Sequence, residues 1–196
     1  MSTKEHIEQI IERTYEIVQS VYVNQQENNC NLSDTYVPRS RIIFPKYRSG
    51  ETRFSEQELR FVFVEQLNEE ICQGWDVYYS VETPTNKKYK FKDEPTPKVF
   101  EANEKGGQSA QFDLVIHDSS FNRIALIEFK ANNATKEHHD KDFLKLKEEG
   151  SADTLTYFLE IVKSSDSGTS NSIQDKKKDF GGVFKCWSCS KGGYLI

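Results

Sequence analysis

Asp113, Glu128 and Lys130 are the residues of this chain whose types and spacing offer chemistry. They lie in "FDLVIHDSSFNRIALIEFKAN", residues 112–132, where two apolar runs flank a short polar stretch. A tight turn centred on Ser120 and Phe121 sets Asp113 opposite Glu128, and Gln111 opposite Lys130. Side chains alternate across a strand. Asp113, Glu128 and Lys130 then share one face with Val115, His117 and Leu126, while Phe112, Leu114, Ile116, Ala125, Ile127 and Phe129 fill the other. Apolar residues on both faces mark central strands. An unpaired charge buried there costs on the order of several kcal/mol, so these three must satisfy one another or bind something. Lys130 bridging both acids is one solution, and it leaves two acids against one base. A divalent cation is the other: Mg²⁺ takes hard oxygen ligands, one or two carboxylates plus water. Such an ion activates water and stabilises charge on a phosphoryl oxygen, and Lys130 can hold or help deprotonate that water. Asp, then Glu-x-Lys on the paired strand, is what metal-assisted phosphodiester hydrolysis needs.

The elements that must position these residues follow from the rest of the pattern. The 196 residues suit one domain, with or without an appendage. Ile7, Ile10, Ile11, Thr14, Val18 and Val21 have the spacing of an amphipathic helix that packs on the core or forms a homodimer. A polar, turn-rich linker follows, and then a locally basic segment: Arg39, Arg41, Lys46, Arg48 and Arg53 against one acid, Glu51. Ser55 and Glu58 spell a capping box for a second helix with Leu59, Val62, Phe63 and Leu67 as its apolar stripe. At about 100° per residue Glu56 falls within that stripe, whereas Glu58 and Glu65 fall opposite it. Residues 75–81 alternate as a strand. Residues 82–110 hold three of the five prolines and predict a long loop or an irregular hairpin. After the central pair come a helix over 135–150 with His139, Phe143 and Leu146 on one side, a strand over 154–165, a mobile polar connection over 166–179 and one or two closing strands. This order implies an α/β or α+β domain with a mixed sheet, divided as an N-terminal helix and basic loop, 1–50, and a main unit, 51–196.

The stretch "FDLVIH…ALIEFKAN" resembles the D…(D/E)xK signature of the PD-(D/E)xK nuclease superfamily, with Phe112 where the family's name has proline. The approach is also similar to that of Holliday-junction resolvases and Mrr-type endonucleases: "EQEL" at 56–59 opens the preceding helix, and Gly74-Trp75 leads into the first strand. The resemblance spans roughly residues 55–165. It implies a restriction-endonuclease-like α/β core, a mixed central sheet flanked by helices, here with an extra N-terminal helix. It implies a nuclease that uses Mg²⁺ or Mn²⁺ and a metal-activated water, with DNA as the substrate by analogy. By position Asp113 and Glu128 would be metal ligands, Lys130 the catalytic lysine, and Glu56 the helix acid that reaches the site and joins them on the metal. Arg39, Arg41, Lys46, Arg48 and Arg53 are the candidate phosphate contacts. The alternative is a catalytically idle nuclease fold that binds nucleic acid or regulates.

Other features carry less. A net charge of -5 excludes a generally basic nucleic-acid coat protein. Apolar runs of about five residues exclude a membrane-spanning helix, and the N-terminal residues show no apolar signal region, so reduced cysteines in a cytoplasm are expected. Cys186 and Cys189 have zinc-knuckle spacing but no second pair, and a strand explains them more simply. Lys176–Lys178 read as a solvated loop, His138 and His139 as a solvated helix surface, and His117 as a satisfied half-buried histidine. Gln111 orients water or phosphate or is a polar edge residue, and Ser109 sits in a glycine-rich stretch that contacts substrate or merely flexes. No P-loop, GxSxG or GxGxxG stands in the sequence.

Overall fold

The computed structural model describes residues 1–26, 40, 42–92, 97–132, 134–178 and 180–196. Its elements are α1 (Thr3–Gln26), α2 (Glu56–Cys72), β1 (Tyr78–Lys90), β2 (Lys98–Phe100), β3 (Gln108–His117), β4 (Arg123–Ala131), α3 (Lys136–Glu149), β5 (Leu155–Val162), α4 (Ser167–Lys177), β6 (Val183–Ser188) and β7 (Gly193–Tyr194). The strands form one seven-stranded sheet in the order β2-β1-β3-β4-β5-β6-β7. Pairs from β2 to β4 are antiparallel, β4-β5 and β5-β6 are parallel, and β6-β7 is antiparallel. Each parallel step needs a crossover long enough to carry the chain back, and α3 and α4 supply them. The chain is therefore α/β, with a mixed sheet flanked by helices.

Two cores lie on the two faces of the sheet. On one face α1 and α2 bury Ile10, Tyr15, Leu59 and Phe63 against Leu114, Ile127, Phe129 and Leu159. On the other, Phe143 and Leu146 of α3 and Ile173 of α4 pack on Val115, Leu126, Phe158 and Phe184. The expected N-terminal helix is present and belongs to the first core. Its Tyr15 hydroxyl reaches the carbonyls of Glu160 and Lys185, at 3.2 and 3.0 Å, and its ring stacks with Trp187. The strands β4 and β5 are buried on both faces along most of their length, which explains their near-continuous apolar runs.

The structure departs from the sequence-based expectation in several places. Residues 82–110 are not a loop throughout: β1 runs on to Lys90 and turns back through β2, the irregular-hairpin alternative. Residues 166–179 hold α4, whose N-cap Asp166 accepts the Thr169 N–H at 2.8 Å; a polar segment forms a helix here because Ile173 and Lys176 are buried beneath it. His139, expected on a solvated surface, is fully buried. The hairpin turn is displaced by one residue. The Phe121 N–H donates to the Asp118 carbonyl, Phe121 adopts a positive φ of 63°, and the register slips between Ile116 and His117. Two N–H groups bonded to Asp118 Oδ1, from Ser120 and Asn122, stabilise that bulged turn. Cys186 and Cys189 sit in different cores, so the knuckle-like pair is divided by the sheet.

Ile10 is completely buried between α1 and the rest of the first core. Ile10→Ala is expected to cost about 2–5 kcal/mol in urea denaturation while unfolding remains a single transition. A separate early transition confined to α1 would contradict this packing.

Candidate functional site

The site is made by a fork in the sheet. The β3-β4 ladder runs in the expected register through Ile116–Ala125, Val115–Leu126 and Leu114–Ile127. It then stops, among the described residues, one position short of Asp113 and Glu128. Beyond that point β3 stays with β1, through Phe112–Thr83 and Gln111–Pro84, and β4 stays with β5, through Glu128–Phe158 to Ala131–Ile161. The Asp113 carboxylate fills the opening: its Oδ2 accepts the Phe129 N–H at 2.8 Å, in place of a main-chain carbonyl. The divergence also corrects one placement. Phe112 was expected on the face of Leu114, yet it lies in the opposite core with Val115 and Leu126. Opposite the fork, Glu82 of β1 has a φ of 47°, a conformation that a glutamate rarely adopts.

Charged side chains from four elements converge on this opening. Lys130 Nζ lies 2.8 Å from Asp142 Oδ2 of α3 and 3.3 Å from Glu56 Oε1 of α2. Lys145 Nζ of α3 lies 2.5 Å from Glu128 Oε1 and 2.8 Å from Asp142 Oδ1, and donates to the Gln111 carbonyl at 2.8 Å. Asp142 thus bridges two ammonium groups. Of the residues that sequence reasoning brought together, Lys130 meets Glu56 directly, whereas Asp113 and Glu128 lie within electrostatic reach of each other and, among the described residues, form no ion pair with Lys130; Asp142 and Lys145 were missed. A signal for them exists. They share the stripe of His139, Phe143 and Leu146, so two charges stood on a buried helix face and needed partners.

The expected capping box is present at the start of α2, where the Ser55 N–H donates to Glu58 at 3.0 Å. It leaves Glu56 to turn toward the sheet. The entry to α2 is tied to the end of β4, because Asn132 Nδ2 donates to the Phe54 carbonyl at 2.7 Å. This tie carries the first-turn acid to Lys130.

Four carboxyl groups, Glu56, Asp113, Glu128 and Asp142, face two ammonium groups, Lys130 and Lys145. Acid is in surplus, and the titration behaviour reflects it. Burial pushes Glu128 well above the ordinary carboxylate range, and the Asp142 charge adds to this while Lys145 opposes it. Glu56 is also raised, by burial first, with Lys130 opposing and Asp113 reinforcing. Burial draws the Lys130 ammonium down, but Asp142, Glu56 and Glu128 outweigh it and hold the group above its usual value, firmly protonated. Glu128 Oε1 is buried, and the Lys145 ammonium 2.5 Å away is the cation that meets it.

Among the described residues no three His, Cys, Asp or Glu side chains form a ready-made metal cage. The donor set nonetheless fits a hard divalent cation that keeps most of its water. Its donors are carboxylate oxygens, Glu128 is buried, and negative charge is in excess. Asp113 and Glu128 are the pair that would hold it.

The remaining candidates separate. Arg39 and Arg41 lie outside the described residues. Lys46, Arg48 and Arg53 are on or beside a small turn closed by a Lys46–Thr52 bridge, beside the C-terminal end of β5, where Glu51 meets Lys163 at 3.1 Å. Among the described residues none of the three contacts the acidic cluster through an ion pair, and Glu56 of α2 reaches it instead. Gln111 contributes its main-chain carbonyl, to Lys145. His117 is satisfied by Ser80 and the Phe121 carbonyl, as expected of a half-buried histidine. Lys176, expected in a solvated loop, is buried and donates to the Ala134 carbonyl at 2.6 Å. His139 joins Glu160 at 3.2 Å and the Thr135 carbonyl at 3.1 Å, because α3 presses it onto β5. No described helix is long and apolar enough to cross a membrane. No protein-family model matches the chain, and no curated protein matches it.

Asp113→Ala is expected to leave the Phe129 N–H without its acceptor, lowering stability by about 1–3 kcal/mol and exposing that amide to faster hydrogen exchange by NMR. Unchanged protection at Phe129 would show that the fork does not depend on this bond. Glu128 carries a pH signature. Its folded pKa lies above that of an ordinary glutamate, so its contribution to stability is fully present below the ordinary value and is lost as pH rises through the folded one. Urea midpoints of Glu128→Gln measured from mildly acidic to mildly alkaline pH should therefore fall less than those of the wild type.

Proposed function

We propose that this chain is a metal-dependent nuclease of the PD-(D/E)xK type, built on a restriction-endonuclease-like core and acting on DNA. The observation that carries the reading is the fork: Asp113 and Glu128 stand at the point where two central strands part, with Lys130 two residues on and Glu56 reaching in from α2. The resemblance of "FDLVIH…ALIEFKAN" to the family signature supports it, and DNA as the substrate follows by analogy.

In this reading Asp113 and Glu128 hold Mg²⁺ or Mn²⁺. The ion, when bound, supplies activation of water and neutralisation of charge on the phosphate. The protein's own groups do the rest. Lys130 is held protonated by Asp142 and Glu56, so it works as a charged hydrogen-bond donor to the scissile phosphate or the attacking water rather than as the base. Glu56 fixes where that ammonium points. The second core closes off one side of the site and keeps it poorly solvated, which strengthens each of these interactions. Water adds to phosphorus, a P–O ester bond breaks, and the leaving oxygen takes up a proton.

A second reading has one observation in its favour. Lys145 already meets two carboxylates and a carbonyl at 2.5–2.8 Å, as a resident cation would. That fits a nuclease fold kept for binding or regulation without turnover. Plasmid, linear, branched and single-stranded substrates incubated with Mn²⁺ or EDTA separate the two. The nuclease reading expects metal-dependent strand cleavage that EDTA abolishes and that Lys130→Ala or Asp113→Asn slows by about 100-fold or more. Metal binding with no cleavage of any substrate would instead support the idle module.

A further inference from the structure

The end of β1 reads "KKYKFK", residues 87–92, with lysines interleaved between two aromatics. In the fold this stretch faces α3 across a cavity of about 460 Å³ lined by Tyr89, Lys90, Phe91, Lys92, Gly107 and Lys141. Tyr89 is almost wholly buried, and its hydroxyl lies 3.4 Å from Glu149 of α3, which anchors it. Phe91 stacks on the Tyr89 ring, with centroids 5.3 Å apart and planes 7° from parallel. The outer ring of that stack is only partly buried. Gly107 keeps the floor open. Its φ is +59°, and a Cβ there would come within 3.0 Å of both the Tyr89 backbone and the Phe100 ring. Three lysines line the cavity. Among the described residues, Glu137 lies 2.8 Å from Lys141 and within electrostatic reach of Lys92, and Glu149 holds the Tyr89 hydroxyl. Lysines thus gather at this end of β1, although the chain as a whole is acidic.

Position adds to composition. Lys141 precedes Lys145 by one helical turn, about 6 Å along α3, and Lys145 is the residue that touches Glu128. The cavity and the acidic cluster are therefore neighbours along one helix.

We propose that this groove binds an unpaired nucleotide of a single-stranded nucleic acid, its base continuing the Tyr89–Phe91 stack and its phosphates meeting Lys92 and Lys141. The inference rests on the nuclease reading for the placing of the strand beside the cluster, and it deepens that reading by naming a strand with exposed bases as the substrate class. A flat aromatic ring is useful to a base only when the base is free of its duplex stack, and lysines follow a phosphate backbone of any sequence. An acidic peptide would meet the lysines and leave the ring stack without a role.

Fluorescence anisotropy in EDTA tests binding apart from cleavage. The probes are labelled oligo-dT and oligo-rU of about 12 nucleotides, a duplex of matched length and a polyglutamate peptide. Expected are binding of the single strands in preference to duplex and peptide, weakening by about tenfold in Phe91→Ala, retention in Phe91→Trp, and a smaller salt dependence in Lys92→Ala. The comparison of dT with rU tells DNA from RNA as the source of the strand. Equal binding by wild type and Phe91→Ala, or equal or tighter binding of duplex or polyglutamate, overturns the proposal. Circular dichroism of each variant checks that it is folded, and Phe91→Trp keeps the test decisive if Phe91→Ala is not. Weakened binding in Phe91→Ala with no Mn²⁺-dependent cleavage by the wild type would leave the groove standing and remove the nuclease reading. Cleavage by the wild type with no effect of Phe91→Ala on single-strand binding would do the reverse.

Discussion

A single hydrogen bond from the Phe129 N–H to Asp113 Oδ2 sets the arrangement on which the rest of the site depends. In a continuous antiparallel pair that N–H would bond to a carbonyl across the ladder. Here a side chain takes the bond, so β3 and β4 can part without leaving a buried donor unsatisfied. Parting is what creates space between two central strands of a sheet whose faces are otherwise packed. It also lets Lys130 meet both Glu56, carried by a helix of one face, and Asp142, carried by a helix of the other.

The electrostatics of the opening follow from that geometry. Glu128 is buried, its pKa is pushed up, and its nearest cation is Lys145. Lys130 is drawn between α2 and α3. Neither lysine alone balances the acids, and Asp142 is shared between both. A network in which every cation is shared and acid remains in excess is costly to bury as a structural ornament, because breaking any one contact leaves an uncompensated charge. It is well suited to a site whose charge changes when a cation or a phosphate arrives.

Much of this was legible in the sequence for identifiable reasons. The strand pair was legible because apolar runs either side of "HDSSFN" fix the register within one residue, and the rungs Leu114–Ile127, Val115–Leu126 and Ile116–Ala125 keep it. Glu56 was legible because the capping role of Glu58 left it as the unexplained acid on the apolar stripe. The turn was misplaced by one residue because Asp118 organises a bulge that alternation alone does not reveal. The helix α4 was hidden because its sequence is polar and its stability comes from burying Ile173 and from its Asp166 cap, not from a periodic stripe.

The amino-acid sequence by itself determined which residue types lie close along the chain or across one hairpin: the α/β order of elements, the register of β3 and β4 up to Leu114 and Ile127, and the two-sided burial of β4. Those features rest on alternation, helical periodicity and short turns, all of which act over a few residues. Only the tertiary structure decided that Asp142 and Lys145 join the cluster, that Phe112 crosses to the second core, that His139 is buried against Glu160, and that the lysine-rich end of β1 lies beside α3. Each of these depends on how a helix seats on the sheet and where two strands part. Charge and packing settle such choices among groups tens of residues apart, and no local pattern carries that information.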